Sequence, residues 1–191
     1  MSDAVYSTAE FRRGLKVEID GKPFIIVEFQ HVKPGKGGAF VRTKLKNLET
    51  GAVLEKTFRS GEKVGKPSLE EKEMQYLYGD DDGFHFMDTE TYEQVFLSHD
   101  QVGDPAKFLI DELVLTVLYH DNQPISIELP TFVQMPVVKT DPGVKGDTAT
   151  GGTKPITLSS GLVVQAPLFI DEGDVVKIDT RSGEYIERVS R

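Results

Sequence analysis

The chain has 191 residues, 38% of them hydrophobic, no cysteine and a net charge of −9. Without cysteine there are no disulfides, thiolate metal sites or cysteine nucleophiles, and no apolar run approaches the 18 residues a membrane helix needs. The average charge conceals a polarity. Residues 1–65 carry 12 Lys/Arg against 8 Asp/Glu (net +4), residues 66–129 carry 3 against 15 (−12), and residues 130–191 carry 7 against 8 (−1). Such asymmetry speaks to partners rather than to fold.

The N-terminus, MSDAVYSTAEFRRG, lacks a charged start followed by an apolar stretch, so no signal peptide is expected and the cytoplasm is the expected compartment. Short alternating runs between Gly, Pro, Asn and Asp then recur. LKVEI precedes Asp20-Gly21, PFIIVEFQHV precedes a glycine-rich tip, and AFVRTKLKNL follows it. Farther on come EMQYLYG, GFHFMD, EQVFL, LVLTVLYH, ISIEL, GLVVQAPLFI and VVKID. Asp20-Gly21 and Asp121-Asn122 suit tight hairpins, whose turns need positive φ. Only DPAKFLIDEL (104–113) carries a short helical period. Many short strands and almost no helix predict an all-β chain of small barrels. SGEKVGKPS (60–68) and ELPTFV (128–133) are the expected joints, dividing the chain into 1–65, 66–129 and 130–191. An echo supports kinship of the last two: FMDTETYEQV (86–95) aligns without gaps on KIDTRSGEYI (177–186).

Most catalytic and metal motifs fail. Gly35-Lys36 lacks the first glycine and the hydroxyl of a phosphate loop, and Gly35-x-Gly37 runs on into Phe40 with no helix to follow. GDDDG (79–83) reads as a solvated turn, because three adjacent aspartates cannot all aim at one ion. DPGVKGDTATGG (141–152) lacks alternating calcium ligands and reads as a long flexible turn. His31, His85, His99 and His120 show no spacing for a shared metal or a catalytic pair. No catalytic residue, metal site or cofactor is predicted.

The tip remains. Lys36 sits between Pro34-Gly35 and Gly37-Gly38, with Lys33 just before them, and Arg42, Lys44 and Lys46 alternate with Val41, Thr43 and Leu45. Period-two geometry puts the three cations on one face of a strand. They fit contacts with a phosphate backbone, or equally a solvated face or an edge strand guarded by lysine. The residues alone thus reach an all-β protein with a general RNA-binding module as one reading.

KPGKGGAF (33–40) and KPITLSSGLVVQAPLFIDEGDVVKIDTRSGEYIERV (154–189) resemble the bacterial elongation factor P family, and the resemblance runs from FRRGLKVEIDGKPF to the end of the chain. It implies three β-barrels in an L shape imitating tRNA: an SH3-like (KOW-type) barrel and two OB folds. It also implies a monomer that binds the ribosome between the P and E sites and relieves stalls at consecutive prolines. Implied partners are ribosomal RNA, the acceptor end of the P-site tRNA and a lysine-modifying enzyme. Lys36 would carry a covalent extension, lysyl-type and aminopentanol-type both occurring in the family. Tyr185 and Arg188 match positions used near the small subunit. The acidic segment 66–129 is expected to face solvent or a basic ribosomal protein.

Overall fold

A computed structural model describes residues 4–142 and 151–191. Among the described residues sixteen strands form three sheets. The first takes β1 (Val5–Ser7), β2 (Lys16–Ile19), β3 (Lys22–Val32), β4 (Phe40–Asn47), β5 (Val53–Arg59) and β6 (Lys63–Gly65), in the order β1-β6-β2-β3-β4-β5. The second takes β7 (Glu70–Gly79), β8 (Gly83–Asp88), β9 (Gln94–Ser98), β10 (Val114–His120) and β11 (Gln123–Glu128), in the order β11-β10-β7-β8-β9. The third takes β12 (Phe132–Thr140), β13 (Thr153–Leu158), β14 (Val163–Pro167), β15 (Val175–Asp179) and β16 (Tyr185–Ser190), in the order β14-β13-β12-β15-β16. The chain is all-β, as its punctuation predicts.

Turn chemistry sets the hairpins. Asp20 and Gly21 adopt φ of 52° and 74°, and Asp121 and Asn122 adopt 49° and 61°. Both tight turns therefore form where the sequence places them. The GDDDG segment also closes a hairpin: Asp80 Oδ1 accepts the backbone N–H groups of Asp82 and Gly83, each at 3.0 Å. The helical expectation over 104–113 needs correction. Only Asp104–Phe108 turns, as a 3₁₀ segment, and it buries Phe108 instead of presenting a helix face. The single α-helical turn among the described residues is His99–Val102, capped by the Ser98 side chain, which accepts from the N–H of Gln101. Segment 60–68 holds β6, which pairs with β1 and β2. Of the predicted long turn at 141–152, residues 143–150 lie outside the described residues.

The echo between 86–95 and 177–186 has a structural cause. The Asp88 carboxylate accepts from the N–H of Glu90 (2.8 Å) and Thr91 (3.0 Å), and the N–H of Tyr92 donates to the Asp88 carbonyl. Asp179 does the same for Arg181 (2.8 Å), and the N–H of Gly183 closes onto the Asp179 carbonyl. A third copy, missed in the sequence, follows β4. There the Asn47 side chain accepts from Glu49 (2.8 Å) and Thr50 (3.1 Å), and the N–H of Gly51 donates to the Asn47 carbonyl. The fifth residue has positive φ every time: Gly51 76°, Tyr92 61°, Gly183 76°.

The chain packs as two compact units. Met1–Lys72, Phe96–Gly103 and Val117–Ser126 make the first. Its cores are a cluster of Phe11, Val17, Ile26, Val41, Leu45 and Phe58, and a smaller one of Leu48, Leu118 and Ile125. Glu73–Val95, Asp104–Thr116 and Ile127–Arg191 make the second, with a core that includes Phe108, Met135, Ile156, Leu158 and Ile178. No helix among the described residues is long and apolar enough to cross a membrane.

Candidate nucleic-acid interface at the Lys36 loop

β3 and β4 pair antiparallel from Phe24↔Asn47 out to Val32↔Phe40, and β5 pairs the other edge of β4 from Lys46↔Val53 to Phe40↔Arg59, making a three-stranded arm. Inside the first unit one face of β4 is buried along the strand: Val41, Thr43 and Leu45 are 0%, 2% and 0% exposed. Thr43 is tolerated there because its hydroxyl donates to the Lys56 carbonyl at 2.7 Å. At the far end the chain leaves the ladder, and residues 33–38, from Lys33 to Gly38, are all exposed.

The tip glycines answer to no crowding within the protein. A Cβ placed on Gly35, Gly37 or Gly38 would meet nothing within 4 Å, and only Gly37 has positive φ, at 102°. One glycine is therefore explained by backbone conformation, and the other two leave the loop bare. Pro34 precedes them with φ fixed by its ring, which limits how far the loop can wander. Lys36 is exposed on this bare tip.

The alternating cations share the outer face of β4 but differ in freedom. Arg42 is exposed, its guanidinium 5.8 Å from the centre of the Phe40 ring. Lys44 is half-buried, with its Nζ 3.4 Å from a Glu28 carboxylate oxygen. That pairing follows from a β-bulge, since the β3/β4 register shifts between Ile26 and Glu28. Lys46 is also half-buried, its Nζ 2.8 Å from where a Cβ on Gly103 would stand. Glu28, Phe29, Gln30, Arg42, Thr43, Lys44 and Glu55 line a shallow depression of about 390 Å³ on this side of the arm.

Tyr185 and Arg188 lie on β16, in the second unit. Tyr185 packs against the core there, and burial raises its phenol pKa. Arg188 is not a solvated cation. Its Nη1 lies 3.4 Å from Asp174 Oδ2, its guanidinium sits over the Phe169 ring at 5.0 Å, and its side chain is 27% exposed. Nearby, Arg181 holds the Asp179 carboxylate through Nη2 (2.7 Å) and Nε (3.1 Å), which with the Arg181 N–H lowers the Asp179 pKa to about 2.

The histidines occupy separate settings. His31 meets Phe29 edge-on, His85 stacks on Tyr78 and bonds Asp80 at 2.8 Å, His99 opens the helical turn, and His120 bonds Glu49 at 2.9 Å. Among the described residues no three His, Asp or Glu side chains could hold one metal ion.

Three family descriptions match consecutive stretches: "Elongation factor P (EF-P) KOW-like domain" over residues 7–64, "Elongation factor P (EF-P) OB domain" over 69–127, and "Elongation factor P, C-terminal" over 133–188. The elongation factor P of Moorella thermoacetica is 59% identical over 182 residues, spanning 95% of this chain and 98% of that one. That of Natranaerobius thermophilus is 57% identical over 180 residues, spanning 94% and 96%. Among solved structures, a eukaryotic translation initiation factor 5A from Methanococcus jannaschii matches with a TM-score of 0.50 at 24% identity, covering 66% of this chain and 92% of that one. That likeness concerns fold alone. Matched along nearly its whole length, the chain belongs to the elongation factor P family of translation elongation factors.

Proposed function

We propose that this protein binds the ribosome between the P and E sites and speeds peptide-bond formation when consecutive prolines stall it. The carrying observation is the tip: an exposed lysine on a bare, glycine-flanked loop at the end of a three-stranded arm packed into the core on one face. Proline's ring fixes φ and restricts the peptidyl geometry that attack requires. Holding the acceptor end of the P-site tRNA in a productive pose restores rate without new chemistry, since orientation alone is worth up to roughly 7–11 kcal/mol of barrier. The ribosome remains the catalyst, and the protein needs no acid, base or metal of its own.

Lys36 carries a covalent extension added by a lysine-modifying enzyme, which lengthens its reach toward the reacting ends. The open space around Gly35, Gly37 and Gly38 supports access both for that enzyme and for RNA. Lys33 and Arg42 contact tRNA or ribosomal RNA phosphates, with Lys44 and Lys46 adding charge behind them. Tyr185 and Arg188 meet the small subunit, and the acidic stretch 66–129 faces a basic ribosomal protein. The protein acts in the cytoplasm as a monomer.

The test is translation through a Pro-Pro-Pro stretch, comparing protein purified from its native source with Lys36→Ala. Relief of the stall by the native protein and not by the variant is expected. Equal relief would make the tip an ordinary turn, and a generic RNA-binding module would then describe the protein better.

A further inference from the structure

The arm that ends at Lys36 has a second end, and that end is clamped. β4 runs from the Lys36 loop to the turn Asn47–Ala52, which ends the strand and starts β5. Inside the first unit this turn is seated on the segments Phe96–Gly103 and Val117–Ser126 by three kinds of contact. Leu48, 5% exposed, packs with Leu118 and Ile125. Glu49 Oε1 lies 2.9 Å from Nδ1 of His120, a side chain only 8% exposed. Gly51, at φ 76°, approaches the 99–102 helical turn so closely that a Cβ would fall 2.5 Å from the Asp100 carbonyl oxygen and 3.1 Å from its carbon. No real Cβ tolerates that distance, so the seat requires glycine twice over, for conformation and for space.

The receiving surface is itself braced. Ser98 caps the helical turn, and the Gln101 amide donates to the Pro124 carbonyl at 3.2 Å, tying the turn to β11. The sister turn in the second unit gives the contrast. Gly183 has the same φ of 76°, yet its nearest neighbour is a Phe108 ring carbon 3.9 Å away. The repeated turn is therefore an ordinary hairpin device, and its close seating at Gly51 is particular to the arm.

We propose that the Asn47–Ala52 turn is a clamp that fixes the direction of the three-stranded β3–β4–β5 arm, making Glu49, Gly51 and His120 positioning residues for Lys36. This rests on the function proposed above. The eight residues of β4 span about 25 Å at roughly 3.3 Å per residue, so a tilt of about 5° at the clamp moves the tip by about 2 Å. A misplacement of about 1 Å is enough to cost on the order of 100-fold in rate. A seat that tolerates a few degrees less motion thus decides whether Lys36 reaches its target.

The experiment uses the full chain, which has no native cysteine to interfere with labelling. Spin labels at Lys36→Cys and Gln123→Cys report the arm's direction. Separately, unlabelled modified protein is titrated into single-turnover Pro-Pro-Pro synthesis. Gly51→Ala is expected to shift or broaden the label distance by 2 Å or more. It should lower the plateau rate at least 10-fold, while the half-saturating concentration changes less than 3-fold and the mass of the Lys36 extension is unchanged. Glu49→Ala, which leaves the backbone alone and covers the case of a Gly51 variant that folds poorly, should act in the same direction, with Glu49→Gln restoring most of the loss. An unchanged distance in both Gly51→Ala and Glu49→Ala overturns the clamp, and so does a shifted distance with an unchanged plateau. A wild-type protein that gives no acceleration refutes the functional reading alone, and the label distances then decide the clamp by themselves.

Discussion

Gly51→Ala and Gly183→Ala form a matched pair that separates backbone strain from a steric seat. Both glycines occupy the fifth position of the same turn at the same φ of 76°. Forcing a side chain into that left-handed region costs about 1–2 kcal/mol. Alanine also restricts the unfolded chain, which returns about 0.4–1 kcal/mol. Gly183→Ala meets nothing closer than 3.9 Å, so its net loss should be about 0.5–1 kcal/mol. Gly51→Ala bears the same strain and must also move the Asp100 carbonyl, 2.5 Å from the new methyl. Overpacking of that kind costs about 1–3 kcal/mol, giving a total of about 1.5–4 kcal/mol. Because the chain packs as two units, a single unfolding midpoint would blur the comparison. Native-state hydrogen exchange at the amides of β4 and β15 reads each unit separately. Equal losses at the two sites would refute the reasoning, because the Asp100 contact would then carry no energy.

Tyr92 holds the corresponding position at φ 61° with its side chain 71% exposed, so Tyr92→Gly sheds strain and little packing. Up to about 1 kcal/mol of added stability is expected in the same exchange measurement, with a loss counting against the strain. Phe58 is 2% exposed and meets Phe11 edge-on at 5.3 Å, so Phe58→Ala should cost the first unit about 3–5 kcal/mol, read as lowered protection in β4, while β15 keeps its protection. Asp179 titrates near 2, below the ordinary carboxylate range, because Arg181 bonds its charged form. A depressed acid stabilises the fold above the unfolded value near 3.8 and loses that contribution as pH falls toward 2. Carboxyl-carbon NMR should place its midpoint near 2 and move it upward in Arg181→Ala; a midpoint unmoved by that substitution would assign the shift elsewhere.

What could be read from the sequence was local. Asp20-Gly21 and Asp121-Asn122 announced hairpins because few residues accept positive φ, and those turns formed. GFHFMD and VVKID became strands with the same ends as in the sequence reading, bounded by turn residues on either side. The Asp-Thr echo was visible because two copies share their residues. The third, Asn47-Leu48-Glu49-Thr50-Gly51, was hidden by Asn for Asp and Leu for Thr, although Asn makes the same side-chain bonds. Ser98-His99-Asp100-Gln101 carried a capping-box spacing that would have found the helical turn. The apolar spacing of 104–113 misled because burying Phe108 and Leu109 needs only one 3₁₀ turn.

Long-range features were not legible. Glu49 and His120 are 71 residues apart, and nothing in either neighbourhood announces the other. The alternation correctly put Arg42, Lys44 and Lys46 on one face, but only the bulge after Ile26 brings Glu28 to Lys44. The partners of Arg188 were hidden too, because Asp174 and Phe169 precede β15 and reach it only through the fold. The bare tip, in contrast, was evident from Pro34-Gly35-Lys36-Gly37-Gly38 alone, since a loop without large side chains has little with which to cover itself.

The most direct test of the central claim compares Lys36→Arg with Lys36→Ala and wild type in single-turnover Pro-Pro-Pro synthesis, each protein expressed with its own modifying machinery. Arginine keeps the charge at the tip but cannot receive a lysine-specific extension. If Lys36 acts by reaching the P-site tRNA, both variants lose the plateau rate while still saturating the ribosome at a similar concentration. Full activity in Lys36→Arg would contradict the account, leaving a basic loop that binds RNA by charge alone.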